Sequence, residues 1–327
     1  MRSRSGVGRP VALLAGLAWA ALAAPLAGQA THYRFTPVSV PGALATYASG
    51  INDSGQIAGT FADSVDDYHG FLYSGGSYTT IDVMHAETEA NSIDNAGQVV
   101  GQWGDPRAGD GSHTFLYDAG ALTLIDRPGG VNTEGRGIND LGQIVGSTEN
   151  PVTNIGHGFL YDAGLFTPVD VPGSIYTIAI DINNSGQIVG QYTADNTIFH
   201  AFLRSGGALT LLDVPGATST FASGIDDAGR IVGSFETSSG LSRGFLYDAG
   251  VFTPFDAPGA AETAILGING AGQLVGAYST SPGLLSRIQV YSFVATPTTT
   301  PEPAPLALLA TGLGVLGVVS RRRRRSA

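Results

Sequence analysis

Between residues 33 and 294 the chain is written in short apolar runs, each stopped by Gly, Pro, Asn or Asp. In the stretch from 122 to 161 four such runs stand at 122–125, 135–138, 143–146 and 158–161. Short runs bounded by turn residues predict β-strands. Asn/Asp-X-Gly between the second and third runs supplies the positive φ that a tight hairpin requires, and Asp-Ala-Gly after the fourth does the same. Pro-Gly follows the first run, where a strand has to stop. Outside the two ends no stretch sustains a 3.6-residue apolar period, so the pattern predicts an all-β domain with essentially no helix.

The runs repeat as a set. A ten-residue phrase, Gly50-Ile51-Asn52-Asp53-Ser54-Gly55-Gln56-Ile57-Ala58-Gly59, returns in five further copies. Its central glycines are Gly55, Gly97, Gly142, Gly186, Gly229 and Gly272, spaced 42, 45, 44, 43 and 43 residues apart. A second phrase, His-small-Phe-Leu-Tyr, begins at His69, His113, His157 and His200, with Arg243 replacing His in the fifth copy. A third, apolar-Asp-X-Pro-Gly, places acids at Asp126, Asp170, Asp213 and Asp256, with Asp82 at the matching position. Four strands in each ~43-residue repeat, six times over, predict a six-bladed β-propeller of about 24 strands. A β-solenoid is the alternative, but its coils are shorter and its strands parallel, whereas these turns favour antiparallel hairpins. Phe35 to Gly42 matches Phe166 to Gly173, and 290–294 is a degraded His-Phe-Leu-Tyr strand. If the repeat boundary falls after that strand, every unit is self-contained. If it falls after the Gly-Ile-Asn strand, N-terminal strands complete the last blade and lock a ring shut, which is the preferred arrangement.

The ends differ from the repeats. Arg2, Arg4 and Arg9 precede an apolar run from Val11 to Ala24, and Gly28 and Ala30 offer small residues for cleavage, so 1–30 reads as a signal peptide. Residues 31–295 then form the repeat domain. A Thr/Pro linker with Pro301, Glu302 and Pro303 covers 296–303, and 304–327 holds an apolar run closed by Arg321, Arg322, Arg323, Arg324 and Arg325. Sixteen apolar residues from Ala304 to Val319 span roughly 24 Å as a helix, short of a ~30 Å hydrocarbon core. A short span with a cationic stop holds its arginines on the cytoplasmic side. This order of elements resembles the PEP-CTERM sorting signal of bacterial envelope proteins. The resemblance implies an exosortase-type sorting enzyme as partner, cleavage near the motif, and delivery to the cell surface or extracellular matrix. A plain tail anchor is the alternative, and either needs the membrane only through this C-terminal helix. The second repeat phrase, literal as His200-Ala201-Phe202, resembles the bacterial HAF repeat over about 33–294. That likeness implies an exported, propeller-like repeat protein and no particular activity.

Composition narrows the chemistry. The 327 residues contain no Cys and no Lys, which removes disulfides, zinc ribbons, thiol nucleophiles, Schiff bases and a P-loop lysine together. Between 31 and 300 stand 26 acidic residues against 8 arginines, a net charge of −18. Such a surface repels nucleic acid and anionic lipid and leaves neutral glycans, divalent cations and basic partners open.

The repeated polar residues read first as structural. The four histidines sit on different repeats, too far apart to ligate one ion, and a repeated polar group ordinarily bonds a turn of its own unit. The Asp column raises calcium, but the dense D-X-D-X-D-G spacing is lacking, so no cofactor or metal is assigned and calcium stays open. The Gln after each turn glycine reads as a strand-pairing side chain, with Arg230 as the exception. Catalysis breaks symmetry, so the departures from the repeat matter most. They cluster between the Gly-Gln-Ile-Val-Gly and His-Phe-Leu-Tyr strands: Asp63, Asp66, Asp67 and Tyr68, then Trp103, Asp105, Arg107 and Asp110, then Glu149, Asp195 and Glu236. An exposed Trp103 with Asp105, Arg107, Asp66, Asp67 and Tyr68 suits sugar stacking and hydroxyl hydrogen bonding, though a tryptophan packed on its own unit is the alternative. No nucleophile–base motif stands out, so no catalytic residue is assigned. The expectation is a non-catalytic binding or structural protein of an extracellular polysaccharide or biofilm matrix. A polysaccharide lyase or hydrolase using rim carboxylates, and a purely structural surface protein, are the alternatives.

Overall fold

A computed structural model of the protein describes residues 32–64, 67–84, 86–104, 111–150, 153, 155–283 and 290–298. The segment read as a signal peptide, the Pro301-Glu302-Pro303 motif, the Arg321 to Arg325 cluster and the apolar run before it lie outside the described residues, as do Asp66, Asp105 and Arg107. Among the described residues no helix is long and apolar enough to cross a membrane.

The chain enters as β1 (His32–Val38) and then lays down antiparallel strands in order. The first repeat forms a four-stranded sheet of β2 (Ala45–Ile51), β3 (Ile57–Ser64), β4 (Asp67–Ser74) and β5 (Ser77–Ile81). The second forms β6 (Glu87–Ile93), β7 (Val99–Gly104), β8 (His113–Asp118) and β9 (Ala121–Ile125). The third contributes β10 (Val131–Ile138), β11 (Ile144–Glu149), β12 (Gly156–Asp162) and β13 (Leu165–Pro168). The fourth contributes β14 (Tyr176–Ile182), β15 (Ile188–Thr193), β16 (His200–Ser205) and β17 (Ala208–Leu211). The fifth repeat forms a four-stranded sheet of β18 (Ser219–Ile225), β19 (Ile231–Glu236), β20 (Ser242–Asp248) and β21 (Val251–Phe255). The last joins β22 (Glu262–Ile268), β23 (Leu274–Ser279) and β24 (Tyr291–Thr298) to β1 in the order β1-β24-β23-β22.

This is a β-propeller, all-β as expected. The expectation of six separate four-stranded sheets needs correction, because β10–β17 form one eight-stranded sheet. The join is a single parallel pairing of Gly156 with Tyr176, with Gly156 N–H donating to the Ile175 carbonyl at 3.2 Å. Glycine suits the join, since a Cβ at 156 would collide with Tyr176 Cδ2 and Cε2 and force the ring aside. The repeat boundary also differs from both arrangements considered, for it falls after the outermost apolar-Asp strand. One N-terminal strand, β1, therefore completes the last sheet, with Phe35 opposite Ala295. The same pairing runs His32 opposite Thr298, so residues 296–298 belong to β24 and not to a linker.

The core explains two of the sequence phrases at once. Phe71, Phe115, Phe159, Phe202, Phe245 and Phe293 are fully buried, one per repeat. Each stands directly across the ladder from a glycine: Gly59, Gly101, Gly146, Gly190, Gly233 and Gly276. The ring lies over its glycine so closely that a Cβ at 190 would be 2.7 Å from Phe202. A threonine column adds a backbone tie to every repeat. The hydroxyls of Thr46, Thr88, Thr133, Thr177, Thr220 and Thr263 accept the N–H of Val40, Val83, Arg127, Val171, Val214 and Ala257 at 3.0–3.3 Å. These bonds fix each incoming loop to its innermost strand.

Candidate functional site

At one end of the axis the Asn/Asp-X-Gly hairpins meet in a ring. Asn52 closes its own turn by accepting the Ser54 and Gln56 amides, and its Nδ2 donates to Gln56 Oε1 at 2.8 Å and across to the Asp94 carbonyl at 2.9 Å. Asn139 and Asn183 reach the next repeat in the same way, and Asn269 returns to the Asn52 carbonyl at 3.0 Å. A second circuit runs beside it, in which Asn95 donates to both Asp53 and Asp140, and Asn184 to both Asp140 and Asp227. Alternating amide and carboxylate lets three acids converge without direct repulsion; amide donors hold the Asp140 carboxyl below its usual range despite partial burial. The Gln column thus braces turns, which corrects the strand-pairing reading. At the fifth turn Arg230 takes the Gln position and its Nε donates to the Asp226 carboxylate at 2.6 Å, whereas the second turn keeps Gln98 beside Asp94.

The innermost strands enclose an axial cavity of about 320 Å³. One repeat position on its wall carries Ser49, Asn91, Arg136, Ile180, Ser223 and Leu266 in turn, so the wall is asymmetric where the turns are not. Asp181 is a further departure, standing where other repeats have Gly50, Ser92, Gly137, Gly224 and Gly267. Its carboxylate accepts the Ile182 and Ile225 amides, each at 2.9 Å, bridging two repeats. Burial outweighs those donors and pushes its pKa up to about 7.

The opposite rim carries the His and Asp columns. Nδ1 of His69, His113, His157 and His200 lies 2.8–3.1 Å from Asp82, Asp126, Asp170 and Asp213. Arg243 pairs with Asp256 in the same place. These acids are therefore partnered within their own repeats, and the Asp column does not gather around a shared calcium position. The imidazoles also stack on a preceding aromatic: His69 on Phe61, His113 on Trp103 and His200 on Tyr192, with centroids 4.7–5.2 Å apart.

Trp103 thus belongs to a repeated position and is not an exposed loop residue. It pairs with His113 on β7, is 9% exposed, and packs in the cluster of Ile81, Val83 and Phe115. One indole face is spent on His113, which removes it as a sugar platform. Asp67 and Tyr68 do stand on the rim, at the start of β4. Of the later acids, Glu149 accepts Asn132 Nδ2 at 2.6 Å and the Tyr176 hydroxyl at 3.1 Å. Asp195 accepts the Thr197 and Ile198 amides, which lower its pKa to about 2. Both stabilise loops. A cleft of about 270 Å³ opens on this rim between Arg127, Glu149, Asn150, His157 and Asp170.

No family model matches the chain. No curated protein matches it significantly. Solved structures do resemble its fold. The β-propeller domain of the Trilobed protease from Pyrococcus furiosus superposes with TM-score 0.52 at 12% identity, covering 79% of this chain and 83% of that one. TolB from Acinetobacter baumannii gives 0.53 at 12% identity over 76% and 64%. A triple arginine-to-alanine mutant of AofleA from Arthrobotrys oligospora gives 0.50 at 13% over 82% and 91%. At such identities the likeness concerns the fold alone.

Two groups escaped the sequence reading. The cleft residues Arg127 and Asn150 sit on loops from separate repeats, and only the ring brings them together. Asp181 was visible as the one acid in a column of small residues, a signal that alignment of the repeats contains.

Proposed function

We propose that the chain is an exported, surface- or matrix-associated six-bladed propeller with a non-catalytic binding role toward neutral extracellular polysaccharide. The eight-stranded sheet counts as two blades joined at Gly156, each with its own inner strand and its own Phe–Gly pair. The observation that carries the reading is where the repeated polar side chains go. The Asn/Asp turns, the Thr column and the His–Asp pairs are bonded within and between repeats, so they hold a scaffold together. Recognition then falls to the rim cleft, where Arg127 and Asn150 stand beside Glu149 and offer polar groups of the kind that read sugar hydroxyls. The leader, the HAF-like phrase and the PEP-CTERM-like tail support export and sorting by an exosortase-type enzyme.

The test incubates the purified chain with polysaccharide from the producing cells and measures bound protein and released sugar ends together, with and without calcium. Saturable binding without chain cleavage, weakened by Arg127→Ala, is the expected result. Cleavage would replace this reading with a lyase or hydrolase. Neither binding nor cleavage would leave a structural surface protein.

A further inference from the structure

The first repeat differs from the others at the mouth of its β3–β4 hairpin. Two residues before the rim histidine the other repeats carry Gly111, Ile155, Ile198 and Leu241, whereas the first carries Asp67. The pairing of β3 with β4 shifts between Ala62 and Ser64, leaving Asp63 in a bulge beside it. Bulges re-aim side chains, and this one turns Asp63 toward His69, the residue opposite Phe61. His69 Nε2 is shielded from solvent and makes no hydrogen bond, although it lies 3.4 Å from Asp63 Oδ2 and 3.8 Å from Asp67 Oδ1. Among the described residues, Asp63, Asp67 and His69 form the group whose ligand atoms all lie within 4.8 Å of one another.

The geometry points to a divalent first-row metal site of the Zn²⁺ type, with Asp63, Asp67 and His69 as its three protein ligands. Bonds of ~2.0–2.1 Å in a tetrahedron place ligand atoms about 3.4 Å apart, which the His69–Asp63 separation already matches. The Asp67 carboxylate, 3.8 Å from Nε2 and within 4.8 Å of the Asp63 oxygen, has to close on both, which an exposed side chain can do by rotation. Imidazole with two carboxylates suits Zn²⁺, Co²⁺ or Mn²⁺, while calcium asks for six to eight oxygens. The surroundings are those a ligating histidine has. Asp82 holds Nδ1 at 2.8 Å, which fixes the tautomer and aims Nε2 at the ion, and Phe61 stacks on the ring at 5.0 Å. Both aspartates are exposed, so the fourth position faces solvent and takes water.

The untagged full chain, stripped of metal with chelator, is titrated with Zn²⁺ by calorimetry and with Co²⁺ by visible absorption. One ion per chain and the intense bands of four-coordinate cobalt are expected. Asp63→Asn with Asp67→Asn removes the site while the metal-free unfolding midpoint stays unchanged, because both residues are exposed. Asp82→Asn weakens binding about 10–100-fold without abolishing it. His113→Gln, on the second repeat, leaves it intact. Absence of saturable Zn²⁺ uptake would overturn the proposal. So would uptake unchanged in the double aspartate variant, which would mark an adventitious ion on an acidic surface.

Discussion

Gly190→Ala tests the packing rule on which every repeat is built. Gly190 stands across the ladder from Phe202, whose ring is fully buried. A Cβ at 190 would lie 2.7 Å from Phe202 Cε1 and Cζ and closer still to the Ile178 carbonyl oxygen of the adjacent strand. Carbon atoms settle at about 3.5–4.0 Å, so ring or strand must retreat by roughly 1 Å. The ring is confined between its own repeat and the preceding one, in a cluster with Val145, Val169 and Ile188, and Ile178 is held in the ladder opposite Gln191. Overpacking of this kind costs about 1–3 kcal/mol, and the backbone contact places Gly190→Ala at the upper end, near 3 kcal/mol. Gly42→Ala is the control, since its φ of +86° is strained but nothing lies within 4 Å of the added carbon. Urea denaturation followed by tryptophan and tyrosine fluorescence reads the difference. In a double-mutant cycle, Phe202→Ala alone costs about 3–5 kcal/mol through its cavity. Combined with Gly190→Ala it should recover part of the second loss, because one of the two clashes has gone. A Gly190→Ala protein within 0.5 kcal/mol of the parent, or strictly additive losses, would refute the account.

Other consequences follow from named contacts. Asp181 keeps a proton in the folded state up to about pH 7 that the unfolded chain releases near 3.8, so its contribution to stability falls as pH rises through that window. Asp181→Gly, the residue found at this position in four other repeats, should flatten that slope in urea midpoints measured at pH 5 and pH 8. Arg230→Gln removes the charged partner of the buried Asp226 carboxylate, leaving it backbone donors as Asp94 has beside Gln98, and should cost about 1.5–3 kcal/mol, whereas Asp226→Asn with Arg230→Gln restores the pair used by Asn52 and Gln56 and should recover most of it in the same denaturation assay. Deleting 32–38 exposes the edge of β24 and opens the ring; a lowered thermal midpoint and concentration-dependent association by light scattering are expected.

What was legible in the sequence is what recurs. Strand spacing and hairpin turns rest on residues present in five or six copies, and the structure places each where its phase requires; the N-terminal segment also closes the ring, but with one strand and at a different boundary. Trp103 was misread because it was taken singly. Aligned with Phe61, Tyr192, Phe235 and Tyr278 it is one member of an aromatic column, and the stacking on His113 follows. The swap of Asn–Gln for Asp–Arg at Asp226 and Arg230 was likewise written in the chain, but its meaning depends on knowing that the two side chains touch. The Gly156–Tyr176 join and the bulge at Asp63 leave no periodic trace, because each is a local accident of register.

Symmetry therefore sorts the residues by what they are free to do. A side chain that appears in every repeat answers a need of every repeat, and here those needs are turn closure, loop anchoring and packing. A site for one ligand needs groups that the neighbouring repeats do not copy. Three places meet that condition: the axial wall around Arg136 and Asp181, the rim cleft at Arg127, and the hairpin mouth at His69. Only at the third does a repeated residue acquire unrepeated partners. His69 keeps the Asp82 bond of its column while its other nitrogen faces Asp63 and Asp67. Recruiting a scaffold histidine that is already oriented leaves just two acids to add, and that economy is why new chemistry on this ring would arise at the His column sooner than on the axial wall.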